Sequence, residues 1–366
     1  DRSVGNLWLI KSDGSQHQKM PARAVNESSA RWSPTGDRIV FSSSTEKGSE
    51  IYMYWVTSGK LAKLTQLPFS TSSLTWSPDG QSLAFSMNVP KAPPVIAKIP
   101  KKPKGAQWAE APRVTDRVYH EADGRGYIQP GFSHIFKIAA EGGAPRQLTS
   151  GDYHHRGTLS WNQDGTKIYF SANRVEDWEY RFRNSEIYSV NVENGTTETL
   201  TDRDGPDYSP KVSPNGRYIA YLGFEDKVQA LQTRKLHIMN SDGSGKRMIS
   251  GNLDRTLSNI QWDAKSSGLY VSYDDMGNGK IGHISLDGKV SKLADNVGGT
   301  SLGRPYGGGS YTVSKNGTLC FTQSRPEYPA ELAVISPKSK TAKKVTALNQ
   351  PLLGYRELGK VEEVRY

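Results

Sequence analysis

The sequence predicts an all-β fold: a β-propeller of four-stranded antiparallel blades, seven in number with the first incomplete. Three observations predict it. A turn-and-strand unit recurs as "WSPTGDRIVF", "WSPDGQSLAF", "WNQDGTKIYF", "VSPNGRYIAY", "WDAKSSGLYV" and "VSKNGTLCFT". These units start at Trp32, Trp76, Trp161, Val212, Trp262 and Val313, spaced by 44, 85, 51, 50 and 51 residues. A repeat of about 45–50 residues marks a solenoid or propeller array. A second pattern follows each unit, as in "SEIYMYWVT" and then "SGKLAKLTQ", which reads as third and fourth strands joined by a tight turn. Finally, a tryptophan precedes the turn in four of the six units, large enough to fill the wedge between neighbouring blades.

The elements follow in chain order. Residues 1–27 hold "GNLWLIKSDGSQHQKMP" (5–21), which resembles strands three and four without strands one and two. The chain is therefore expected to begin within an incomplete first blade, its inner strands missing or supplied from elsewhere. Ser28 to Leu67 form one full unit. In the next, Pro78 fixes φ for the turn, Gly80 closes it, and Leu83 and Phe85 share one face of the strand that follows. The 85-residue spacing holds an insertion, residues 86–132, with a predicted hairpin around Asp123-Gly124. "SHIFKIAAEGGAPRQLT" (133–149) then completes that blade. Third and fourth strands recur at 185–201, 234–250, 279–294 and 330–346. A lone four-stranded sheet exposes two faces and two edges, and radial packing covers them. All 366 residues are thus read as one propeller domain, with 347–366 leading out of it.

Composition narrows the function. The 47 Lys and Arg against 37 Asp and Glu give a net charge of +10. The excess is dispersed. Its densest piece, "AKIPKKPKGAQW" (97–108), mixes four lysines with prolines and reads as a solvated loop, so no nucleic-acid partner is expected. No apolar run is long enough to span a membrane, and no signal peptide is visible at the start. The single cysteine, Cys320, lies in a strand pattern and reads as a small buried residue.

Chemical motifs are few. "GTSLG" around Ser301 has the spacing of a nucleophile elbow, but no helical period and no histidine follow it. "YGGGSY" around Ser310 fails likewise. His154 and His155 are adjacent, so on an extended chain they point to opposite sides and do not share a metal. No catalytic residue, metal site or cofactor is predicted. The loop "SANRVEDWEYRFRNSEIY" (171–188) gathers Glu176, Asp177, Glu179, Arg181 and Arg183 around Trp178, Tyr180 and Phe182. Carboxylates can hold a substrate ammonium and arginines can fork a carboxylate. From the residues alone, an ordinary charged connection is the simpler reading.

The ordered set "RVTDRVYHEADGRGY", "GGAPRQLTSGD", "SANRVEDWEYRFRNSEIY", "YSPKVSPNGRYIAYLGFED" and "VTALNQPLLGYRELGKVEEVRY" resembles the N-terminal propeller of the prolyl oligopeptidase family of serine peptidases. The bacterial acylaminoacyl-peptidase and dipeptidyl-aminopeptidase-like branch is the nearest in pattern. The resemblance implies a C-terminal α/β-hydrolase domain carrying a Ser-Asp-His triad, expected beyond "EEVRY". It implies a peptidase as the whole protein, with this fragment inactive alone. The propeller would gate the active site and bind a peptide substrate. Its amine would be held by carboxylates of one blade insertion, a role carried onto Glu176, Asp177 and Glu179. A periplasmic or secreted setting is favoured. Two alternatives are a non-enzymatic periplasmic Tol-type propeller that binds proteins, and a lactonase-like hydrolase, for which no axial metal cluster can be identified.

Overall fold

The computed structural model describes residues 4–20, 25–45, 48–92, 94–95, 97, 100–109, 113–124, 126–299, 308–325, 328–362 and 364. Six four-stranded antiparallel sheets are formed among them. Blade I runs Glu27–Trp32, Arg38–Thr45, Gly48–Trp55, Leu61–Lys63. Blade II runs Thr71–Trp76, Ser82–Pro90, Gly131–Ala139, Arg146–Gln147. Blade III is His155–Trp161, Lys167–Ala172, Glu186–Asn191, Thr197–Thr199, and blade IV is Asp207–Val212, Tyr218–Gly223, Lys235–Asn240, Arg247–Met248. Blades V and VI occupy Ser258–Ala294 and Tyr311–Lys344 in the same order. First strands of successive blades pack against one another, so each blade is a spoke with its first strand innermost.

The count corrects the expectation of seven blades. The N-terminal segment makes only a two-stranded ribbon, with Trp8 paired to Lys19 and Leu9 to Gln18. Its Leu7, Leu9 and Met20 pack on Ile39, Phe41 and Tyr54 of blade I. Gly14 at its turn lies against Val345 of blade VI. The ribbon thus covers the outer half of blade I's free face and leaves the inner half open. Trp32 is 54% exposed there, whereas Trp76 and Trp161 are 8% and 7% exposed between blades. The wedge role expected of all four tryptophans therefore fails at Trp32, which faces no neighbouring inner strand among the described residues.

Two repeated local devices make the blades alike. Each inner strand of blades I to V shifts register halfway. The extra residue is left-handed: Ser29, Ser73, Gly157, Ser209 and Asn259, with φ between 50° and 94°. This is a β-bulge, which bends the strand and sharpens its twist at the channel wall. At the opposite edge, a hydroxyl from the end of the fourth strand reaches back to the third. Thr65, Thr149, Thr201, Ser250 and Thr346 accept hydrogen bonds from the N–H groups of Ile51, Ile135, Ile187, Leu236 and Leu332. In three blades that same threonine donates to a buried glutamate: Thr65 to Glu50 at 2.6 Å, Thr201 to Glu186 at 2.5 Å, and Thr346 to Glu331. The carboxylate cannot reach water, so the hydroxyl supplies part of its hydrogen bonding.

Candidate functional site

Connections between second and third strands collect at one end of the ring, and those of blades II, III and IV are long. The first leaves blade II after Pro90 and returns at Gly131, although those two residues are themselves paired. It contains a short hairpin in which Gly126 pairs with Ala122 and Tyr127 with Glu121. The second runs from Asn173 to Ser185 in blade III, coiled by turn bonds from the N–H groups of Tyr180 and Arg181 to Asp177 O. Asn173 fastens that coil by donating from Nδ2 to Arg181 O at 2.6 Å.

The first two connections meet. Val118 of the first donates its N–H to Glu179 Oε2 at 3.5 Å. The other oxygen, Oε1, is buried without a hydrogen-bond partner. Next to Glu179, Trp178 stands edge-on to Phe132 and His154, with ring centres at 6.4 and 5.6 Å. The Arg117 guanidinium lies 4.1 Å over the Phe132 ring, a cation–π contact that fixes a long side chain. Trp178, His154 and Arg117 line a cavity of 470 Å³ together with Tyr119, His120, Tyr127 and Arg156.

His154 accepts the Ser133 N–H on Nδ1 at 3.2 Å. Burial, reinforced by Arg156 and Arg117, pushes its pKa down to about 3. The ring is therefore neutral, and it offers an Nε2–H rather than a charge. His155 turns the other way, its ring tilted against His134 with centres 5.2 Å apart. The alternation of an extended strand thus separates the adjacent pair. Among the described residues, no group of three His, Cys, Asp or Glu side chains has metal-binding geometry.

The five residues singled out from sequence divide three ways. Glu179 faces the insertion. Glu176 and Asp177 are exposed. Arg181 and Arg183 turn to blade IV, where they pair with Asp204 and Asp226, each at 3.5 Å. They line a second cleft of 440 Å³ with Tyr180, Phe182 and Val228. The arginines are therefore not beside Glu179. Arg117 and His154 are cavity residues that sequence reading did not assign to a site. The one signal for them was the length of the insertion, since long ordered connections carry function more often than short ones. Ser301 lies outside the described residues.

A family model, the dipeptidyl peptidase IV (DPP IV) N-terminal region, matches residues 107–224. That span contains the second connection, the later part of the first and most of the residues lining the cavity. Over that span the chain is similar to a peptidase-family propeller domain. Dipeptidyl-peptidase 5 of Porphyromonas gingivalis is 25% identical over 198 residues, covering 53% of this chain and 28% of that protein. The uncharacterized peptidase YuxL of Bacillus subtilis is 23% identical over 382 residues, covering 100% of this chain and 56% of its own length. The propeller thus spans little more than half of either relative at most. Among solved structures, an uncomplexed acylaminoacyl peptidase of Pyrococcus horikoshii superposes with a TM-score of 0.71 at 16% identity, covering 96% of this chain and 49% of that one. TolB from Acinetobacter baumannii shares the fold more loosely, with a TM-score of 0.50 at 16% identity over 78% of this chain and 58% of that one. At such identities the likeness concerns fold alone, and one fold serves many functions.

Proposed function

We propose that this propeller gates and binds peptide substrates for a serine oligopeptidase or aminopeptidase. Its partner in that work is a C-terminal α/β-hydrolase domain of the same protein. The triad belongs to that domain, and this chain contributes no catalytic residue. The observation that carries the reading is the Glu179 carboxylate. One of its oxygens is buried against the insertion without a hydrogen-bond partner. Leaving a buried carboxylate oxygen unsatisfied costs about 1–3 kcal/mol. A peptide ammonium supplies three donors and a compensating charge, so the site is preorganised for a free amino end. Glu176 and Asp177, on the same coil, add negative charge at the approach.

The second reading, a protein-binding propeller of the Tol type, is supported by shared fold and has no residue-level observation behind it. The test is kinetic. In the full-length protein, Glu179→Gln raises KM for free-amine dipeptide substrates by about tenfold or more, the loss of one charge-assisted bond. KM for N-blocked substrates stays within twofold or so. Equal effects on both classes remove Glu179 from the amine site.

A further inference from the structure

Arg117 stands where a second ligand charge would be read. Its guanidinium is clamped by stacking on Phe132, 5% exposed, and donates from Nη1 to Gly131 O at 3.5 Å. Among the described residues that leaves most of its five N–H donors unspent. Among the described residues it has no ion-pair partner, since no carboxylate oxygen lies within 4.0 Å. The other long-chain cation on the Phe132 ring, Lys91, is by contrast paired to Asp152. The cavity wall in front of Arg117 carries Arg156 as well, and Asp116 is its one lining carboxylate among the described residues. His154 and His120 bring further N–H donors to the same wall.

We propose that Arg117 is a carboxylate receptor in this cavity. The peptide it accepts therefore carries a free carboxylate in addition to its free amine. This rests on the peptide-binding reading above and adds a second charge to it. The geometry favours a carboxylate over a neutral carbonyl for two reasons. A half-buried guanidinium without a counter-ion gains most from a charged, two-oxygen acceptor. The lining also carries two arginines against the single carboxylate of Asp116 among the described residues. Trp178 lends the same cavity an apolar wall. The carboxylate can come from the peptide's own carboxyl end or from an acidic side chain, and both present the same fork.

The test titrates the 366-residue chain calorimetrically with three probes: Ala-Ala amide, Ala-Ala as the free acid, and Glu-Ala amide. The wild type binds at least one carboxylate-bearing probe about 10- to 100-fold more tightly than Ala-Ala amide, the worth of a charge-assisted pair. Which probe gains says whether the main-chain or the side-chain carboxylate is read. Arg117→Gln erases the gain and leaves Ala-Ala amide binding unchanged. Arg117→Lys, which keeps charge but loses the fork, retains part of it. Equal affinities for all three probes, or a gain that survives Arg117→Gln, overturn the carboxylate assignment and leave the amine site standing. If no probe binds the wild type, the peptide-binding reading falls and this inference falls with it. A Glu179→Gln control separates the two charges, because it weakens all three probes alike.

Discussion

At the residue scale, burial rather than pairing sets the ionisation that matters for stability. His154, His155 and His237 are depressed from 6.5 to about 3, 4 and 4, each chiefly by burial. The unfolded chain therefore takes up these protons first as the pH falls below 6.5, and stability is lost progressively down to about pH 4. A shift of this size is worth about 3 kcal/mol for a fully buried imidazole such as His155. Glu186 acts in the opposite sense. Burial outweighs the Thr201 hydroxyl and raises it from 4.5 to about 7, so its contribution is present below pH 4.5 and lost as the pH rises towards 7. Three histidines against one glutamate predict a net loss on acidification between pH 6.5 and 4.5. Urea midpoints measured across that range check it, and Glu186→Gln steepens the loss by removing the opposing group. A midpoint that rises on acidification contradicts this assignment. None of this was legible in the sequence, where His154 and His155 looked like a metal question. Their neutrality depends on which faces the strand presents to Phe132 and His134.

At the element scale, the inner strands were the most legible part of the molecule and also held the principal surprise. The tryptophan-turn-strand repeat carries its own geometry, because glycine closes the turn and alternation follows it. The pattern therefore located blades that share almost no side chains. It did not reveal that the N-terminal ribbon would leave one inner strand bare. Trp76 donates its indole N–H to Arg31 O of the preceding blade at 3.1 Å, and Trp262 does the same to Lys211 O at 2.8 Å. Trp32 has the same sequence context but faces no such strand among the described residues. Trp76→Ala is therefore expected to cost about 3–5 kcal/mol, as for other large-to-small core changes. Trp32→Ala should cost about 1 kcal/mol or less. Equal losses in chemical denaturation would mean that the two positions are equivalent in solution. The candidate site was half legible for a related reason. The acidic-aromatic loop announced itself by composition, but Arg117 lies some sixty residues earlier in the chain. Only the antiparallel pairing of Gly131 with Pro90 brings the insertion back to that loop.

At the scale of the whole molecule, the propeller is a scaffold that gathers long connections at one end of its axis. Six similar sheets fix the position of each connection, and the connections of blades II, III and IV are elaborated enough to build the two cavities described. The stiff part of the fold therefore carries little chemistry, and the variable part carries most of it. The propeller is expected to act as a binding module selective for the amino end of a peptide. Calorimetric titration of the 366-residue chain with one dipeptide, in free-amine and N-acetylated forms, tests this most directly. The free amine should bind at least about tenfold more tightly, with Glu179→Gln abolishing the difference. Equal affinity of the two forms for the unaltered chain would contradict it.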